Sequence, residues 1–250
     1  MANELLKTIT NNLDITLNGV QNALPKDFNK ERFLQNTIAL LRQNPELQKY
    51  NPTEILEGSV KAAYLGMDFM NKEAWLVPYS GHIQFQLGYK GCCKFVKKYS
   101  IRPLADLYAK VVHKGDEFTY GVENGKPYVN WKPLPFNGDE MQGVFAIAIF
   151  QDGGILYEVM SKEEIDKIRR RSRAGNSGPW VTDYEQMSLK TCLKRLTKNI
   201  ETDFDNIEQR NAWASDNDDF VKPENNSEVV DPFADNNIID GEVKEVKSDE

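Results

Sequence analysis

Residues 144–150 read Val-Phe-Ala-Ile-Ala-Ile-Phe, apolar at every position. A strand shows alternate side chains to opposite faces, so this one must be covered on both, and the chain has to supply a layer on each side of it. Asp152-Gly153-Gly154 signals a turn, and residues 155–160 return from it as a hairpin partner. Further strands are expected at 104–113, 116–121 and 127–131, punctuated by Gly121, Asn124-Gly125 and Pro127. Upstream, residues 75–79 and 83–87 flank Ser80-Gly81. This hairpin puts Ile83, Phe85 and Leu87 on one face of its second strand and Gln84 and Gln86 on the other, and Pro78 suits an edge position.

Helices bracket and interrupt those strands. Residues 30–43 align Phe33, Leu34, Thr37, Ile38 and Leu41 and stop before Pro45. Asn51 is the expected cap of the next helix, with Pro52 at its first position and Glu54 completing the capping box; Ile55, Leu56, Val60, Ala63 and Tyr64 point inward as far as Gly66. Residues 89–99 place Tyr89, Cys92, Cys93 and Val96 on one side and Lys90, Lys94, Lys97 and Lys98 on the other. Ser161 with Glu164, and Thr182 with Glu185, each fit a capping box, which predicts two helices joined by a loop at 174–180. In the second helix Leu189, Cys192, Leu193, Leu196 and Ile200 share one face, while Lys190, Lys194 and Lys198 recur every four residues on the other.

This order predicts an α+β fold with N-terminal helices, a central antiparallel β-sheet with packed helices, a C-terminal helical basic segment and a disordered acidic tail. Residues 1–29 are expected to form an arm or short helix, with apolar spacing at Leu13, Ile15, Leu17, Val20 and Leu24. The core spans 30–213 and the tail 214–250. The apolar faces of residues 1–66, which lack a basic ridge, are the expected contact between subunits of an oligomer.

Charge narrows the function. The net charge of −7 is concentrated at one end: residues 214–250 hold twelve acids and three lysines, leaving 28 basic and 26 acidic residues before them. From Lys167 to Lys198, nine Lys/Arg, including Arg169, Arg170, Arg171 and Arg173, stand against only Asp183 and Glu185. Such a segment suits a polyanion. A lysine stripe alone is ordinarily a solvated helix face. Here few acids interleave, and Trp180 is either a stacking surface for a base or a core residue.

Other chemistry lacks its residues. Gly121-Val-Glu-Asn-Gly125-Lys126-Pro127 has the wrong spacing for a phosphate-binding loop, and Pro127 stands where a hydroxyl is needed. After Asp152 the next acid, Glu158, is followed by Val159-Met160 rather than the x-Lys of a metal-dependent nuclease; Glu-Val-Lys occurs only at 242–244 and 245–247, in the expected tail. Two histidines and three cysteines make neither a zinc set nor a disulfide framework. No run of about 18 apolar residues could span a bilayer, and the start lacks the order of a signal peptide. The expectation is a cytoplasmic protein, not an enzyme, with no cofactor and no membrane partner.

At Gln84…Tyr89-Lys90-Gly91, and again at Gly178-Pro179-Trp180…Asp183…Met187…Lys190-Thr191…Lys194-Arg195-Leu196, the sequence closely resembles the phage RecT family of single-strand annealing proteins. The resemblance covers roughly residues 25–205. It implies an ATP-independent recombinase of the host-cell cytoplasm that coats single-stranded DNA as an oligomer, pairs it with a complementary strand through an annealed duplex intermediate, and works beside a phage 5′→3′ exonuclease. Carried over, it marks Tyr89, Lys90, Trp180, Lys190, Lys194 and Arg195. With the two lysine ridges, the arginine run and Gln84 and Gln86, these form the expected DNA-binding set. The tail, dispensable for annealing, is expected to bind partners such as the exonuclease or a single-strand-binding protein. Rival readings are a non-annealing module for single-stranded DNA or RNA and a metal-dependent nuclease.

Overall fold

The computed structural model describes residues 2–172, 175–176 and 178–216. Arg173, Ala174 and Ser177 of the expected loop region, and the expected tail after Asp216, lie outside the described residues.

The chain opens with α1 (Ala2–Gly19), α2 (Lys30–Gln43) and α3 (Pro52–Tyr64). The opening segment is therefore a helix of 18 residues. Its buried stripe is Leu6, Ile9, Leu13 and Leu17, at three- and four-residue spacing, while Ile15 faces solvent. Burying each such side chain contributes about 1.5–3 kcal/mol, enough for four of them to hold α1 on the rest of the chain. The apolar faces expected to meet a second subunit are thus largely consumed within this one. Asn29 and Asn51 cap α2 and α3 by accepting from the N–H groups of Arg32 and Thr53. Glu54 does not close the expected box. Its carboxylate instead reaches His82 Nδ1 and the Ile83 N–H, both at 2.7 Å, because the following hairpin lies against α3.

That hairpin, β1 (Ala74–Tyr79) and β2 (His82–Leu87), turns through Ser80 and Gly81, whose φ angles of 47° and 86° give the left-handed two-residue turn the sequence signalled. Ile83, Phe85 and Leu87 are buried and Gln84 and Gln86 half-buried, as their alternation required. Next come α4 (Tyr89–Tyr99), β3 (Leu104–His113), β4 (Glu117–Glu123), β5 (Lys126–Lys132), β6 (Met141–Phe150) and β7 (Ile155–Ser161). The described chain ends with α5 (Lys162–Arg171), α6 (Pro179–Thr182), α7 (Tyr184–Lys198) and α8 (Ile207–Ala214).

The fold is α+β. Its central antiparallel sheet has the order β3-β6-β7, and β1-β2 and β4-β5 are separate ribbons. The middle strand, β6, is covered on both faces. Val144, Ala146, Ala148 and Phe150 share a core with Ile165 and Ile168 of α5, Trp180 of α6 and Cys192 and Leu196 of α7. Phe145 and Ile147 turn the other way, onto Phe118, Val129 and Trp131 of the β4-β5 ribbon. A third cluster joins α1–α3, the β1-β2 hairpin and α4. Helix α4 bridges the cores, with Cys92 and Phe95 on the N-terminal side and Val96 on the sheet side. Phe95 stacks on Trp213 of α8, ring centroids 4.5 Å apart.

Ser161 and Glu164 form their capping box. Thr182 and Glu185 do not: α6 ends at Thr182, whose hydroxyl donates to Asp183, and Glu185 pairs with His113 Nε2 on β3 at 3.0 Å. Cys92, Cys93 and Cys192 are free. Burial raises all three thiols, Cys92 to about 11 and Cys93 to about 12, so they pack as neutral groups. Among the described residues no helix is long and apolar enough to cross a membrane.

Candidate nucleic-acid interface

The two motif segments owe much of their composition to folding. A Cβ on Gly91 would stand 2.1 Å from the Glu73 carbonyl oxygen, so glycine is what lets α4 lie against the turn before β1. That contact fixes the first turn of α4, where Tyr89 is half-buried and Lys90 exposed. In the second segment Gly178 adopts φ 57° and ψ −142°, and Pro179 opens α6. Trp180 is 1% exposed in the sheet core. It offers no face to a base, which decides between its two readings. Thr191 and Leu196 are likewise interior, and Met187 packs against the same core.

The four lysines of α4 divide into two sets. Lys94 donates to the Gly66 carbonyl at 2.8 Å and to Glu73 at 2.7 Å, and Lys98 pairs with Asp27. The Lys98 bond holds the Asp27 carboxyl below its ordinary range. Both lysines line a small pocket of about 100 Å³ beside Arg32 and Asp68, facing the α1–α2 connection. Lys90 and Lys97 are exposed, without an ion-pair partner among the described residues. They are seven positions apart and lie within about 20° of arc.

The stripe on α7 is not a ridge. Lys190 is half-buried, Lys194 is 1% exposed, and Lys198 pairs with Asp216 at 3.2 Å with its ammonium 3.9 Å from the Trp213 ring centre. Lys194 bonds the Leu87 carbonyl at 2.7 Å and pairs with Asp216 at 3.1 Å. Buried there, it cannot reach a phosphate. Arg195 is half-buried and pairs with Glu158 of β7 at 3.2 Å. Arg169 donates to the Gly175 carbonyl at 2.7 Å and lies over the Tyr184 ring, so it holds the loop. Arg170 and Arg171 are exposed at the end of α5, and Arg173 lies outside the described residues.

What folding does bring together is Tyr89 and Lys190. Both line an open cleft of about 400 Å³ whose walls also include Ala109 of β3, Pro179 of α6, Asp183, and Met187 of α7. One residue from each separated segment therefore meets across one groove, with the exposed lysines of α4 on the same helix as Tyr89. Phenol, thioether and methylene surface there could support sugars or bases while an ammonium meets phosphate. Gln186 and Leu193 join the motif residues Asp183 and Lys190 along the cleft at three- and four-residue steps, a helix-face spacing present in the sequence beside the more conspicuous lysine repeat. Asp216 carried no such signal, because its partner Leu87 is 129 residues away.

The sequence matches the family model described as the RecT family over residues 31–231. It is 28% identical over 238 residues to Protein RecT of Escherichia coli (strain K12), a match spanning 91% of this chain and 83% of that protein. It is 25% identical over 247 residues to the uncharacterised protein YqaK of Bacillus subtilis (strain 168), spanning 88% of this chain and 81% of the relative. The two motif segments fall inside the matched range, which takes in well over half of the chain. The chain belongs to the RecT family of DNA-annealing recombination proteins.

Proposed function

We propose that this protein coats single-stranded DNA as an oligomer and anneals it to a complementary strand without ATP, in the cytoplasm of a bacterial host. The observation that carries the interface is the cleft where Tyr89 and Lys190 meet, with Lys90 and Lys97 exposed on the same helix as Tyr89 and without an ion-pair partner among the described residues. Lys90, Lys97, Lys190, Arg170 and Arg171 neutralise phosphates, and Gln84, Gln86 and Tyr89 support sugars from the β2–α4 side. Base edges stay open to a second strand. Matched bases then stack and pair at about 1.4 kcal/mol per step, so a correct duplex accumulates stability that a mismatched one lacks. The protein positions; pairing selects. Few phosphate contacts per subunit give weak, salt-sensitive binding, so residence requires neighbouring subunits on one strand. The acidic segment after Asp216 serves partners, a 5′→3′ exonuclease or a single-strand-binding protein.

Two complementary dye-labelled strands test this reading. Protein-dependent annealing without nucleotide is the expected outcome. Protection of each strand without pairing would make it a passive coat, and cleavage abolished by EDTA would make it a nuclease. Sizing on single-stranded DNA checks the oligomer: a monomer fully competent in annealing defeats that part.

A further inference from the structure

We infer that Lys194 and Asp216 form a positioning clamp that fixes the β2–α4 junction against α7, setting Tyr89 opposite Lys190, and that neither contacts DNA. This rests on the cleft being the single-strand site. Lys194 sits one helical turn after Lys190 and matches the lysine repeat, yet its side chain is 1% exposed, as is that of Asp216. The pair engages both backbone groups of one residue: the Leu87 N–H donates to Asp216 Oδ1 at 3.0 Å, and the Leu87 carbonyl accepts from Lys194 Nζ at 2.7 Å. Leu87 ends β2, and Tyr89 begins α4 two residues later. The path Lys190, Lys194, Leu87, Tyr89 thus joins the two cleft walls through one buried ion pair.

The energetics favour a geometric role over a purely stabilising one. Desolvating two charges offsets much of their attraction, and well-packed apolar residues commonly do as well for stability. What an ion pair adds is direction, since a carboxylate and an ammonium can each also bind a specified backbone group. Lys198 approaches Asp216 Oδ2 at 3.2 Å and is 21% exposed, so a second ammonium adds its charge to the pair. Asp216 reaches the site from just beyond α8, so a residue distant in sequence closes the constellation that the two motif segments begin.

The test uses the full chain and a dye-labelled oligothymidine, titrated by fluorescence anisotropy over a salt series, with thermal melts to establish folding. Asp216→Asn removes an acid beside a basic surface, so charge alone would tighten binding; the clamp predicts several-fold weaker binding. Lys194→Met should weaken binding with an unchanged salt slope, whereas Lys90→Glu should lower the slope by roughly 0.7 for one lost phosphate contact. The double variant Lys194→Met with Asp216→Leu leaves neither member of the buried pair as an orphan charge, and Lys198, 21% exposed, stays over the Trp213 ring. It should fold yet bind weakly, and it carries the test if the single variants do not fold. Unchanged or tighter binding by folded Asp216→Asn, or wild-type binding by the double variant, would overturn the clamp. A reduced slope in Lys194→Met would put that lysine on a phosphate and overturn it too. Failure of the unaltered protein to bind the oligonucleotide would instead remove the functional reading beneath it.

Discussion

Tyr89 and Trp180, the aromatic residues of the two motif segments, have opposite fates in the fold. Trp180 fills the sheet core, so Trp180→Ala should cost about 3–5 kcal/mol in a denaturant melt. Tyr89→Ala should leave the melt nearly unchanged and weaken single-strand binding by about 1–3 kcal/mol, the worth of one stacked base. A folded Tyr89→Ala protein with full affinity would take this residue out of the interface. Asp116 is a different case, a carboxylate organising a loop. It accepts from the N–H of His113, from Asn137 Nδ2, from the N–H of Leu134 and from Trp131 Nε1, and these donors, His113 foremost, hold its pKa down at about 2 against an ordinary 3.8. A depressed pKa contributes stability that is present above 3.8 and is lost as pH falls through about 2. Asp116→Asn should therefore melt lower at neutral pH and show a shallower acid limb, the two proteins converging near pH 2. Parallel decline of both melting curves would place the acid sensitivity elsewhere.

At the scale of the element, α4 is a bridge with three surfaces: one in each core and one in solvent. Periodicity put four lysines on the solvent side, and neighbouring carboxylates then divided them. Lys94 and Lys98 have acids from the turn before β1 and from the α1–α2 connection within reach; the exposed Lys98–Asp27 pair is worth only about 0–1 kcal/mol, while Lys94 meets a buried carboxylate, Glu73. Lys90 and Lys97 keep their charge available. Lys90→Glu with Lys97→Glu should lower the salt slope of single-strand binding by roughly 1.4, two contacts at about 0.7 each, without a shift in melting. Lys94→Gln with Lys98→Gln should change the slope less. Equal loss of slope from both pairs, in a salt titration, would mean that all four lysines reach DNA.

For the whole molecule, the buried Asp216 ties a residue of the expected tail, past Trp213, to the interior. A protein ending at Trp213 would keep Lys194 as a buried cation without its carboxylate, and breaking such a pair costs about 3–5 kcal/mol. A protein ending at Asp216 keeps the pair and loses 34 residues that hold eleven acids and three lysines, net −8. The longer truncation product should therefore fold and anneal at an undiminished or raised rate, while the shorter melts earlier and binds DNA weakly. Equal melting and annealing by the two would show that Asp216 is dispensable.

The sequence by itself determined most of the elements and their order, though not the length of α1 or the presence of α8. The Ser80-Gly81 and Asp152-Gly153-Gly154 turns, the helix caps at Asn51 and Ser161, and the doubly covered strand β6 all follow from local chemistry: turn residues set φ, capping groups satisfy adjacent N–H donors, and period two or 3.6 assigns faces. The same reading brought the segments of Tyr89 and Lys190 forward, because motif residues stand close together in the chain. Only the tertiary structure decided which charges face water. Periodicity says that Lys190, Lys194 and Lys198 share a side of α7, and nothing about what lies opposite that side. There, the Leu87 carbonyl and the Asp216 carboxylate turn a cationic face into interior at Lys194, just as Glu54 left its own cap for a hairpin 28 residues on. Burial of a charge depends on partners that arrive from distant parts of the chain, and that distance is fixed by packing.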